Sequence, residues 1–188
     1  MKDRTDRAEK SKSTINTKRH ALSVRHKIYV RHDNVPGDLR LSIKLIKKCI
    51  ADALRCEEVF VPCEISVLVV NNESIKELNK CFRGIDASTD VLSFPLQELI
   101  PGDFKMPFSG NVIDGDAAPP PLQLGDIVIS AETVRDQAAE FGHTTERETA
   151  YLTIHSLLHL LGYDHIDEAE GKRQMRLREE AILINGNN

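Results

Sequence analysis

Thr145-Glu-Arg-Glu-Thr-Ala-Tyr-Leu-Thr-Ile-His155-Ser-Leu-Leu-His159-Leu-Leu-Gly162-Tyr-Asp-His165 is the stretch on which the reading of the chain turns. Thr145 and Glu148 have the S/T-x-x-E spacing of a capping box, so a helix is expected to open there. From Ala150 to Leu161 the residues are apolar nearly all round, interrupted by Thr153, His155, Ser156 and His159. A helix apolar on every side is a buried core helix. His155 and His159 then share one face, roughly 6 Å of rise apart. Both rings can point a nitrogen at one ion about 2.0–2.1 Å away. Gly162 stands three residues after His159, where a left-handed residue would end the helix and return the chain. That return brings His165 towards the same point. Three neutral imidazoles leave a fourth position open, the pattern of a catalytic zinc site rather than a closed structural one.

A lone histidine on an apolar helix is usually a core residue with one satisfied hydrogen bond. Two on one face, a glycine stop and a third histidine are harder to explain that way, because each unpartnered buried imidazole costs a few kcal/mol. Zinc peptidases share the HxxxHxxGxxH skeleton but need glutamate after the first histidine as general base. Ser156 occupies that place, and a hydroxyl does not take a proton at neutral pH. Three neutral ligands also leave the ion's double charge uncompensated, which suits an anionic, phosphodiester substrate.

Outward from this helix, alternation at Leu22, Val24, His26, Ile28 and Val30 predicts a first strand. Pro36-Gly37-Asp38 offers Asp38 as the cap of a helix carrying Leu39, Ile43, Ile46, Ile50 and Leu54 on one stripe. Arg40, Lys44, Lys47 and Arg55 share another face, read first as solvated and second as phosphate-contacting. Glu64–Val70 reads as a buried strand, 74–82 as a short helix, and Val91–Phe94 and Asp126–Ser130 as further strands. Ser130 caps a helix that closes near Gly142, and a charged amphipathic helix spans 168–184. Residues 95–121 hold six of the eight prolines, so 95–123 reads as a Pro/Gly-rich loop inserted in one domain spanning 21–188. As a flap over the cleft or as a disordered insertion, it fits equally well.

Residues 1–20 read as a flexible basic tail. Residues 1–32 hold ten Lys or Arg against three Asp or Glu, net +7, so the formal total of −4 leaves −11 for residues 33–188. An acidic body does not itself predict a nucleic-acid partner, although the tail would add nonspecific RNA affinity by counterion release. No secretory signal or membrane span is read, and Cys49, Cys56, Cys63 and Cys81 form no CxxC pair. Buried free thiols and a cytoplasmic location are expected.

His155-Ser-Leu-Leu-His159-Leu-Leu-Gly162-Tyr-Asp164-His165 closely resembles the signature of the YbeY family, metal-dependent endoribonucleases of ribosomal RNA maturation. Leu78-Asn79-Lys-Cys-Phe82-Arg83-Gly84-Ile-Asp86-Ala-Ser-Thr89-Asp90-Val91-Leu92-Ser93-Phe94-Pro95 and Gly125-Asp126-Ile127-Val128-Ile129-Ser130 agree in the same order. The family usually has glycine where this chain has Ser156, a change expected to matter little. The resemblance implies a zincin-like α+β fold, a small mixed sheet packed against a central metal-bearing helix. It implies one zinc ion on His155, His159 and His165, and Arg83 in the cleft gripping phosphate. Asp86, Thr89 and Asp90 are expected to shape the turn after Arg83 and pair with it. Asp164 is a candidate partner for a ligand histidine.

The implied activity is single-strand-specific endoribonuclease action on ribosomal RNA precursors, the small-subunit 3′ end among them, and in ribosome quality control. The implied partners are single-stranded RNA, the ribosome or its small subunit, and associated factors. Two routes for the proton stay open: activated water attacking without a separate base, or an RNA 2′-hydroxyl as nucleophile. The alternatives are a non-catalytic ribosome-assembly factor with structural zinc and, behind it, a zinc peptidase.

Overall fold

A computed structural model describes residues 24–102, 104, 120–164 and 170–185. The tail at 1–20, most of the expected 95–123 loop and His165 lie outside the described residues. Four strands form one mixed sheet: β1 (Lys27–His32), β2 (Cys63–Val70), β3 (Val91–Pro95) and β4 (Leu122–Ser130), in the order β1-β2-β4-β3. β1 with β2 and β2 with β4 run parallel, and β3 closes the other edge antiparallel to β4. Among the described residues the helices are α1 (Ile43–Cys56), α2 (Asn72–Arg83), α3 (Ala131–Glu140), α4 (Thr145–Leu160) and α5 (Glu170–Asn185). The mixed α/β class and the small mixed sheet agree with the sequence reading.

The period-2 burial of β2 explains the layering. Cys63, Ile65, Val67 and Val69 turn to the main core, whereas Glu64, Ser66 and Leu68 are only half-buried on the opposite face. On the core side, Ile46, Ile50 and Leu54 of α1 meet Ile154, Leu157 and Leu158 of α4, with Ile127 and Ile129 of β4 beneath. α4 touches α1, α3, α5, β3 and β4, which is the central position its all-round apolarity predicted. On the other face α2 covers a smaller cluster of Val70, Ile75, Leu92 and Val128.

Several boundaries differ from expectation for local reasons. The side chain of Thr144, not Thr145, accepts from the Arg147 N–H, so Arg147 stands where a capping box needs glutamate. Glu148 is buried instead, with Oε2 3.4 Å from Nδ1 of His143. Ser42 caps α1, and Asp38 sits in a short 3₁₀ turn (Gly37–Leu39) ahead of it. β1 starts later than the alternation at Leu22 suggested and extends to His32, keeping the predicted parity. Leu122 and Gln123 belong to β4, because parallel pairing with Cys63 and Glu64 recruits them to the ladder. Cys49 and Cys63 are buried free thiols whose pKa values burial raises to about 11 and about 12, but Cys81 is exposed.

Candidate functional site

The last turns of α4 form one wall of a cleft of about 730 Å³. His155 and His159 line it together with Arg83, residues of β3 and Asp164. The helix ends in a Schellman motif: the Gly162 N–H donates to the His159 carbonyl at 3.0 Å and the Tyr163 N–H to the Leu158 carbonyl at 3.1 Å. Gly162 has φ +89°, and a Cβ there would lie 2.1 Å from the Leu99 carbonyl oxygen. Glycine is therefore required twice over, for the turn and for the passage of the neighbouring segment. On the far side of the cleft Gly125, at φ +143°, lets the Phe94 carbonyl approach to 2.2 Å of where a Cβ would stand. That contact draws β3 against the sheet.

The two imidazoles do face one point. His155 Nε2 and His159 Nε2 are 3.2 Å apart, with ring centroids 4.7 Å apart and planes at 83°. Two ligands at about 2.0–2.1 Å on a tetrahedral ion would be separated by about 3.3 Å. On its other side, His155 places Nδ1 2.7 Å from Oε1 of Glu179, a carboxylate from α5 that is only 4% exposed. A carboxylate only accepts, so Nδ1 carries the proton and the Nε2 lone pair is directed into the cleft. Tyr151 packs beside the pair, its ring centroid 5.9 Å from that of His155. Burial raises the Tyr151 pKa first, and the carboxylates of Glu179 and Glu148 add to it. The hydroxyl thus stays protonated next to these acids.

Glu179 was not singled out from the sequence. Its signal was available in the spacing of α5, where Met175, Glu179 and Ile182 follow one another at i, i+4 and i+7 and are all buried. A carboxylate on the apolar stripe of an amphipathic helix is expensive unless it has a partner. His165 lies outside the described residues, and among those described no group of three or more metal-binding side chains occurs.

Arg83 is the last residue of α2, exposed, and directed to the same cleft. Gly84 ends the helix in the left-handed region at φ +71°. Asn79, buried in α2, donates to the Ala87 carbonyl at 2.8 Å and holds the following loop against the helix. The expected pairing of Arg83 with Asp86 does not form. Lys80 and Lys76, one and two turns back along α2, take Asp86 at 2.8 and 3.4 Å, and the pair holds its carboxyl below the usual range. Asp90 instead accepts from the Thr89 hydroxyl and the Val91 N–H. Among the described residues Arg83 has no carboxylate partner, so its guanidinium is available to a ligand anion.

A small mixed-sheet α/β domain, with an open cleft gathering histidine nitrogens on one wall and an exposed guanidinium on another, has the layout of a hydrolase for anionic substrates. The sequence matches the family described as endoribonuclease YbeY over residues 28–186. An endoribonuclease YbeY of Clostridium botulinum strain Hall is 48% identical over 161 residues, covering 83% of this chain and 95% of that protein. One from Caldanaerobacter subterraneus is 50% identical over 139 residues, covering 74% and 84%. The solution structure of TM1509 from Thermotoga maritima is similar at 27% identity and a TM-score of 0.53, covering 85% of this chain and 88% of that one. The chain belongs to the YbeY endoribonuclease family.

Proposed function

We propose that this protein is a zinc-dependent, single-strand-specific endoribonuclease of ribosomal RNA maturation, with His155, His159 and His165 as ligands in a zincin-like arrangement. The observation that carries the reading is the 3.2 Å approach of two Nε2 atoms, one of them braced from behind by Glu179. Two lone pairs facing each other at that distance repel unless a cation or proton lies between them, and the separation fits the edge of a zinc tetrahedron. Zinc bound there would supply Lewis acidity and lower the pKa of a water in its open position.

The chain's own groups do the rest. His155 and His159 direct their Nε2 atoms into the cleft, and Glu179 fixes the tautomer and ring plane of His155. Arg83, without a carboxylate partner among the described residues, grips a phosphate and stabilises the charge that grows on it in the transition state. Asp164 and Glu98 line the same cleft and are the candidates to take up a proton from the attacking hydroxyl or water. Ser156 is fully buried, so the position that carries the general base in the glutamate-dependent peptidases holds no base here. The substrates would be ribosomal RNA precursors, the small-subunit 3′ end included, acted on in the cytoplasm on or near the ribosome.

The test is an assay on unstructured single-stranded RNA. Arg83→Ala should lower kcat/KM by about 10²–10³ while zinc content stays unchanged. Cutting that persists at the wild-type rate in both Arg83→Ala and His155→Ala would reject the site.

A further inference from the structure

The sheet face opposite the main core is only partly covered. α2 packs over its β3–β4 side, and Lys27, Tyr29 and Arg31 of β1 are exposed in alternation on the open side, with exposed Arg25 just ahead of the strand. A groove of about 770 Å³ runs there, lined by Tyr29, Arg31 and Lys47 at one end and Phe82 and Phe94 at the other. Phe82 and Phe94 also line the histidine cleft, so the groove and the cleft adjoin at these two rings. Their centroids are 5.0 Å apart edge to face, and Phe82 is 63% exposed, as Tyr29 is at 54%.

None of Arg25, Lys27, Arg31 and Lys47 has an ion-pair partner among the described residues. Carboxylates are present on this face. Glu64 stands beside Lys27 in the β1–β2 register, and Asp126 lines the groove. The cations nonetheless outnumber them, in a molecule whose body is acidic overall. Unpaired cations alternating with an exposed aromatic on a sheet face match what a single strand needs, phosphate contacts interleaved with stacking platforms. From β3 to β1 is three inter-strand spacings, about 14 Å, the length of roughly four stacked nucleotides.

We infer that this groove is an extended RNA-binding track, which carries the single strand away from the cleft over Phe82 and Phe94 to Tyr29, Arg31 and Lys47. The inference rests on the ribonuclease reading and deepens it by adding a binding surface that only a strand longer than the cleft can reach. An RNA of a few nucleotides fills the cleft alone, whereas a longer strand also engages the face.

The test compares the full-length wild type with the triple variant Tyr29→Ala/Arg31→Ala/Lys47→Ala. Affinity for an unstructured 20-nucleotide RNA is measured by fluorescence anisotropy with chelator present, across a salt series. Cutting of a tetranucleotide is measured separately with zinc. The variant should bind the 20-mer at least tenfold more weakly, with the logarithmic salt slope smaller by about 1.4, two phosphates at ~0.7 each. Its tetranucleotide cutting should equal that of the wild type, because the three residues lie outside the cleft. Unchanged affinity and slope for the 20-mer would overturn the track and leave the face to a protein partner. A matching fall in tetranucleotide cutting would also overturn it, by tracing the loss to the fold. A wild type that, supplied with zinc, cuts neither the tetranucleotide nor the 20-mer would count against the ribonuclease reading instead, and the anisotropy comparison would still decide the track.

Discussion

Glu179 turns a pair of helical histidines into an oriented site. The spacing of His155 and His159 was readable because four residues make about one helical turn, and the structure brings their Nε2 atoms together. The brace was not readable in the same way. It arrives from α5, a separate helix, and which of its acids meets His155 depends on how α5 crosses α4. Glu179→Gln is predicted to weaken zinc binding by about 10- to 100-fold in a competition titration, with little change in the circular dichroism spectrum. Unaltered affinity would leave Glu179 a structural residue only. A second acid was also missed. Tyr163 donates to Glu57 at 2.5 Å, and burial followed by that bond raises the tyrosine pKa to about 12. Its folded value lies above the ordinary value of 10, so the stabilisation is complete below pH 10 and disappears as pH rises towards 12. Alkaline unfolding monitored between those limits should be steeper in the wild type than in Tyr163→Phe.

At the scale of elements, periodicity located the helices and strands better than their ends. α4 was legible as a buried helix, since Leu152, Leu157, Leu158 and Leu160 surround its axis and are buried together. Its cap slipped by one residue because Thr144 and Thr145 are adjacent and equally able to cap, and only the backbone decides. β4 was under-read at its start, since Leu122 and Gln123 follow prolines and gain strand geometry only from β2 beside them. Ser156 is a different case. Its size fits the helix, but its hydroxyl is buried with no hydrogen-bond partner among the described residues, a consequence of packing that spacing does not encode. Ser156→Ala is therefore predicted to stabilise the fold by about 1 kcal/mol in chemical denaturation and to leave RNA cutting intact. Gly162→Ala should do the opposite. A left-handed backbone alone costs a non-glycine residue roughly 1–2 kcal/mol, and the Leu99 carbonyl would have to move as well. A lowered Tm with weakened zinc binding is the expected signature, because the same turn leads to His165.

For the molecule as a whole, charge was the least informative quantity. A formal net charge of −4 hides Lys27, Arg31, Lys47 and Arg83, none of which has a carboxylate partner among the described residues. An acidic total therefore does not argue against a phosphate substrate, since partnering and placement decide what an anion meets. The order of the sheet, with β3 added antiparallel beside β4, could not be read from the strands themselves. It nevertheless builds the cleft, by setting Phe94 and its neighbours opposite α4. On the proposed reading, the paired histidines on α4 hold the metal with which this chain cuts RNA. Zinc content and cutting of a single-stranded RNA, measured on the same preparations of wild type and His155→Ala, test this together. The expected result is about one zinc per wild-type chain together with cutting, and loss of both in a folded His155→Ala variant. Full cutting by His155→Ala without zinc, or zinc-loaded wild type that leaves RNA intact, would contradict it.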